Sequence, residues 1–183
     1  MSESALAHAL LWLPIAAVTA VAMDLWAALL HGRVWHAWMW PVHRSHHQPR
    51  RGSFEANDAL SVLHAPLAIA LLLWGCASRP TVLREVAFGV GLGMSVFGLA
   101  YLVVHDGLVH GRLPVRVLLR LAYFRSVVRA HRVHHATIPA GPPYGFFLGP
   151  RELARSRRVT RPHRPATSRV PRADPSGPSS TQA

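Results

Sequence analysis

The chain has no lysine, a single cysteine and only 8 acidic residues among 183. One cysteine, Cys76, excludes an internal disulfide and any thiolate metal cluster, and leaves a small apolar residue near a helix end. Charged residues make up 15% of the chain, well under the roughly 25% of ordinary globular proteins, while 50% is apolar. That balance points to a membrane protein of one domain. The formal charge of +12 comes entirely from 20 arginines. With so much apolar sequence, anionic lipid headgroups suit that charge better than nucleic acid, and no nucleic-acid partner is expected. No Glu-x-x-His occurs, so the carboxylate-rich ligand set of soluble di-iron bundles is excluded.

What is present is organised by hydropathy. Residues 5–30, 59–77 and 86–104 are apolar runs near the roughly 20 residues needed to cross a bilayer. The first lacks a basic leader and is too long for a cleavable signal, so it is read as a span. Pro14 lies inside it as a candidate kink, and Asp24 is a carboxylate at membrane depth that requires a partner. Gly89, Gly91, Gly93 and Gly98 in the third run, with Ser95 and Ala100, allow close helix packing. Residues 113–130, with arginines spaced among Leu and Val, predict an amphipathic helix at the interface, with a distorted fourth span as the alternative. The fold class expected is an all-α integral membrane protein with three to four transmembrane helices and a histidine-rich helical cap. Residues 1–150 form the membrane domain, and 151–183 a basic Pro/Ser-rich tail without order. Three spans place 31–58 and everything after 105 on one side, with 18 of the 20 arginines. By the positive-inside rule that side is cytoplasmic.

The chain holds 13 histidines, and ten of them fall into four groups. HGRVWH carries His31 and His36, and HRSHH carries His43, His46 and His47. HDGLVH carries His105 and His110, and HRVHH carries His131, His134 and His135. Residues i, i+3 and i+4 share a helix face, so each H-x-x-H-H group aims three imidazoles at one volume. Residues five apart diverge by about 140° on an ideal α-helix, so each H-x-x-x-x-H group needs a helix end, a distortion, or a site straddled by its two ligands. Gly107 and Gly111 would permit a distortion. Imidazole is a general borderline ligand, and ten candidates on one side of a membrane exceed the four that one structural zinc takes, so more than one metal is expected. The ten histidines are therefore the metal-ligand candidates, with no separate catalytic residue. Asp24, Glu55, Asp58 and Asp106 are candidates for partners to the imidazoles' second nitrogens, with helix capping as the alternative for Asp58 and Asp106. His8, His64 and His163 fall outside the pattern and are read as structural or solvated, His64 as hydrogen-bonded or near the substrate.

At these motifs the sequence resembles the bacterial β-carotene hydroxylases of the fatty acid hydroxylase and sterol desaturase superfamily. The likeness spans about residues 20–150. It includes HHQPRRGSFEANDAL (His46–Leu60), YLVVHDGLVHGRLPVR (Tyr101–Arg116) and AHRVHHA (Ala130–Ala136). It departs in the Arg/Pro tail and in TIPAGPPYGFFLGP, where only Tyr144–Phe147 resembles the family. The resemblance implies 3-hydroxylation of each β-ionone ring of β-carotene, through β-cryptoxanthin to zeaxanthin. It also implies two iron ions, O2, and electrons from reduced ferredoxin and its reductase. Arg50, Arg51, Arg112 and the basic helix are candidates to attract such an acidic donor, or to sit on lipid. The motifs alone are equally compatible with a carotenoid ketolase, a fatty acyl or sterol hydroxylase, or a desaturase. A metal-handling membrane protein would place its histidines at mid-span, which this pattern does not.

Overall fold

The computed structural model describes residues 3–49, 52–77, 81–137 and 141–159. Arg50, Arg51, His163 and the tail beyond 159 lie outside them. Among the described residues there is helix and no strand. Helix α1 runs Glu3–Leu30 without a break at Pro14. Short helices α2 (Trp40–His43) and α3 (Asp58–Ser61) precede α4 (Ala65–Gly75). Then come α5 (Val82–Tyr101), α6 (Ala122–Ala136) and α7 (Gly149–Val159).

Among the described residues, three stretches are long and apolar enough to cross a membrane: Leu10–Trp35, Asp58–Gly75 and Val82–Val109. Their outward residues are apolar and uncovered by protein, for example Val18, Leu25, Ile69 and Leu73. Hydrocarbon is the solvent that suits such a surface. The second span is interrupted. Residues 62–64 form a turn between α3 and α4, where Trp26 Nε1 donates to His64 Nε2 at 2.9 Å. His64 is thus held as a structural acceptor at the start of α4.

Helix α5 packs against both α1 and α4, and its glycines decide how closely. A Cβ at Gly89 would lie 2.9 Å from Ile15 on α1, and one at Gly91 would lie 3.0 Å from the Ala68 carbonyl on α4. A Cβ at Gly93 would overlap the Ala16 carbonyl oxygen and stand 2.6 Å from Thr19 Cβ. Gly98 has nothing within 4 Å, so three of the four glycines serve packing. Gly93→Val is expected to force α1 and α5 apart at a cost of about 1–3 kcal/mol, the range for overpacking. Thermal unfolding in detergent measures it, with Gly98→Ala as the control that does not lower stability, since Ala is the better helix former and meets nothing there; equal destabilisation by the two would refute the packing role.

The stretch expected as one amphipathic helix over 113–130 is broken. A 3₁₀ turn (Arg116–Arg120) ends at extended Leu121, where α6 begins. Arg125 Nη1 donates to the Leu119 and Arg120 carbonyls at 2.7 and 2.9 Å, satisfying the acceptors that the break exposes. The buried face of α6 contributes Val127, Val128 and Ala130 to the protein interior. Order also extends past residue 150, because α7 continues to Val159.

Candidate metal centre

All four histidine groups meet at one end of the bundle. The two H-x-x-x-x-H pairs do so through π-helix, which closes i→i+5 hydrogen bonds. Helix α1 continues as π-helix over His31–Trp35, and α5 over Leu102–Val109. The His36 amide donates to the His31 carbonyl at 3.0 Å, and the His110 amide to the His105 carbonyl at 3.0 Å. Each turn holds one residue more than an α-turn, so residues five apart come round to the same face. Gly111, at φ +69°, then turns the chain out of the second π segment. His43 ends α2, His46 and His47 sit on the 3₁₀ turn Arg44–His47, and α6 presents His131, His134 and His135.

The imidazoles form two neighbouring groups. His31, His36, His43, His47 and His134 make one; His46, His105, His110 and His131 make the other, with ligating atoms inside each group no more than 4.8 Å apart. His135 lies between them, stacked on His47 at 4.3 Å and 4.5 Å from His131. Its Nε2 is buried with no hydrogen-bond partner among the described residues. HRSHH and HRVHH each divide their histidines between the two groups, so neither motif serves one position alone.

The outer nitrogens show what the inner ones are for. His31 Nδ1 donates to the Tyr144 carbonyl at 2.9 Å, and His134 Nδ1 to the Gly141 carbonyl at 3.0 Å. His43 Nδ1 donates to Asn57 Oδ1 at 2.7 Å, and His105 Nδ1 to Asp106 Oδ1 at 3.2 Å. A carbonyl only accepts, so these Nδ1 atoms carry the proton and the Nε2 atoms are bare lone pairs. Yet His31 Nε2 and His43 Nε2 stand 3.1 Å apart, and His105 Nε2 and His46 Nε2 3.2 Å apart. His36 Nε2 is 3.1 Å from both His31 Nε2 and His134 Nε2. In the His31–His43 pair both Nε2 atoms are bare, and two bare lone pairs cannot hydrogen-bond each other. A shared cation reconciles them: at metal–nitrogen bonds of about 2.0–2.1 Å, two imidazoles on one ion stand about 3.0–3.4 Å apart. The residues present therefore fit a metal in each group.

Burial pushes the histidines the same way. His36 and His47 are lowered to about 3, His43 to about 4 and His135 to about 3, with desolvation the main cause and neighbouring imidazoles adding to it. Burial likewise lowers His46, His131 and His134. Neutral imidazoles with free lone pairs are the form that binds metal.

The four carboxylate candidates divide. Asp106 holds His105, and Glu55 Oε2 stands 3.5 Å from His46 Nδ1. Asp58 accepts from the Glu55 amide at 2.9 Å and from Arg112 at 2.8 Å, so it braces the segment next to the centre. Asp24 accepts from the amides of Phe146, Phe147 and Leu148 at 3.3, 3.1 and 2.8 Å. It acts on the centre through the loop that carries Tyr144, and its recorded hydrogen bonds go to backbone instead of an imidazole. Four contributors escape sequence reasoning. The Tyr144 and Gly141 carbonyls carry no side-chain signal. Asn57 sits inside the segment His46–Leu60 as an ordinary polar residue. Glu152 on α7 accepts from the Tyr144 and Gly145 amides at 2.7 and 3.1 Å, steadying the same loop. Its signal was legible: Gly-Pro followed by an acid opens a helix.

The fatty acid hydroxylase family model matches residues 16–150, which hold all ten of these histidines. The chain belongs to that family. It is 49% identical over 134 residues to a chloroplastic beta-carotene 3-hydroxylase of Gentiana lutea, covering 73% of this chain and 42% of the relative. A chloroplastic beta-carotene hydroxylase 1 of Capsicum annuum is 48% identical over the same shares. A beta-carotene hydroxylase of Pantoea ananas is 44% identical over 119 residues, 65% of each protein. The chain thus spans less than half the length of these plant relatives. No solved structure matches it.

Proposed function

We propose that this protein is a β-carotene 3-hydroxylase that holds two iron ions and uses O2 and reduced ferredoxin, supplied by its reductase, to convert β-carotene through β-cryptoxanthin to zeaxanthin. The observation that carries the reading is the pair of adjoining histidine groups whose Nε2 atoms converge at 3.1–3.2 Å. The names of its relatives supply the substrate. Iron held by these two histidine groups would supply the redox chemistry that zinc lacks, which an unactivated ring C–H requires. For each ring, one oxygen atom of O2 enters the C–H bond and the other leaves as water, with two electrons from the donor and two protons.

The chain's own residues orient and exclude. The Nδ1 acceptors lock the rings of His31, His43, His105 and His134 with Nε2 inward. Val104, Leu108, Val127, Val128 and Phe146 form an apolar floor that keeps water from beneath the centre. A rod-like hydrocarbon reaches the site from the bilayer between the spans. A pocket of about 410 Å³ lined by Val109, His110, His131, Arg132, His135 and Ala136 opens at the histidines, and its arginine suits an acidic electron donor. The arginine asymmetry supports the cytoplasmic face of a bacterial membrane for this end, with anionic lipid as neighbour. Expression of the chain in cells that accumulate β-carotene is expected to yield β-cryptoxanthin and zeaxanthin. Canthaxanthin would make it a ketolase instead, and unchanged β-carotene with the redox partners present would overturn the reading.

A further inference from the structure

The two histidine groups differ in what stands behind them. In the first, the Nδ1 partners are neutral: the Tyr144 and Gly141 carbonyls and the Asn57 carboxamide. In the second they are carboxylates: Asp106 Oδ1 accepts from His105 Nδ1 at 3.2 Å, and the Glu55 carboxylate stands 3.5 Å from His46 Nδ1 as a charge neighbour without a hydrogen bond. One guanidinium organises these acids. Arg112 reaches Asp58 at 2.8 Å, Glu55 at 3.1 Å and Asp106 at 3.7 Å. The turn at Gly111 delivers it there, and the Arg112 amide returns to the Asp106 carbonyl at 2.9 Å. Three carboxylates face one guanidinium, so a net negative charge stands directly behind the second position, whereas near the first Glu152 acts on His134 only from across the Tyr144 loop.

We propose that the two metal positions are inequivalent, and that Glu55 and Asp106, held in place by Arg112, make the His46, His105, His110 and His131 position the tighter one. The inference rests on the metal-centre reading above. A carboxylate that accepts the outer N–H raises the basicity of the imidazole, whereas a carbonyl does so less. The excess negative charge also attracts a dication through a partly buried, weakly screened medium. Arg112 is a positioning residue: without its fork, the carboxylates repel one another and turn away from the imidazoles. The Glu55 Oε2 atom, buried and without a hydrogen-bond partner among the described residues, is the part of this arrangement left for His46.

The test is anaerobic titration of the metal-stripped full chain in detergent with Fe²⁺, and in parallel with Co²⁺, whose visible spectrum reports the ligand field. Two binding phases are expected, with His105→Ala abolishing the tight one and His31→Ala the weak one. Glu55→Gln is expected to weaken the tight phase by about 10–100-fold and leave the weak phase in place. Asn57→Asp, which sets a carboxylate behind His43, is expected to strengthen the weak phase, and it carries the test alone if Glu55→Gln does not fold by circular dichroism. A single phase of two equal ions, or a Glu55→Gln effect confined to the weak phase, overturns the inference and leaves the metal centre standing. Uptake of no metal overturns both.

Discussion

Replacing His134 with alanine is expected to abolish the proposed hydroxylation while the protein still inserts in the membrane. His134 is fully buried, its Nε2 lies 3.1 Å from His36 Nε2, and its Nδ1 is held by the Gly141 carbonyl at 3.0 Å. Removing the ring deletes one ligand atom and frees the acceptor that anchors the 141–148 loop to α6. It leaves untouched the apolar faces of α1, α4 and α5 that drive insertion, since the residue sits on α6 beyond the ends of the spans. Turnover should fall below detection, and the metal content of the purified protein should drop. A His134→Ala protein with full iron and full turnover would remove this residue from the ligand set.

A large but partial loss is expected from Asp24→Ala, although the hydrogen bonds of Asp24 go to backbone amides. Its carboxylate collects three amides of a turn that lies 122–124 residues further along the chain. Alanine leaves those N–H groups without an acceptor where Phe146 is buried and Phe147 and Leu148 are half-buried, at up to about 1–3 kcal/mol for each group stranded. The turn then moves, and with it the Tyr144 carbonyl that orients His31. Activity and metal affinity should each fall about ten-fold or more, the scale for losing support behind a ligand. Asp24→Asn should recover part of both, because its amide oxygen still accepts from the turn. Equal, wild-type metal retention in the two variants would show that the turn keeps its place without Asp24.

Glu152 and Arg125 show how local signals can mislead. An arginine-rich stretch with few large apolar residues reads as disordered, yet Glu152 makes α7 part of the support for the Tyr144 loop. Regular spacing of arginines over 113–130 reads as one helix, yet Arg125 bonds back to the carbonyls at a break. In both cases a single side-chain contact outweighs composition, and composition carries no record of contacts.

The sequence alone determined the three spans and the ten histidines of the cap, because hydropathy and helical spacing are properties of neighbours along the chain. Tertiary structure decided the rest: the π-helical turns that bring His31 to His36 and His105 to His110, the division of each H-x-x-H-H motif between two positions, and the carbonyls, carboxamide and carboxylate that set the protons of His31, His134, His43 and His105. His31 and the Tyr144 carbonyl are 113 residues apart, and a backbone acceptor is the same atom in every residue. Only the folded chain distinguishes the one that faces an imidazole.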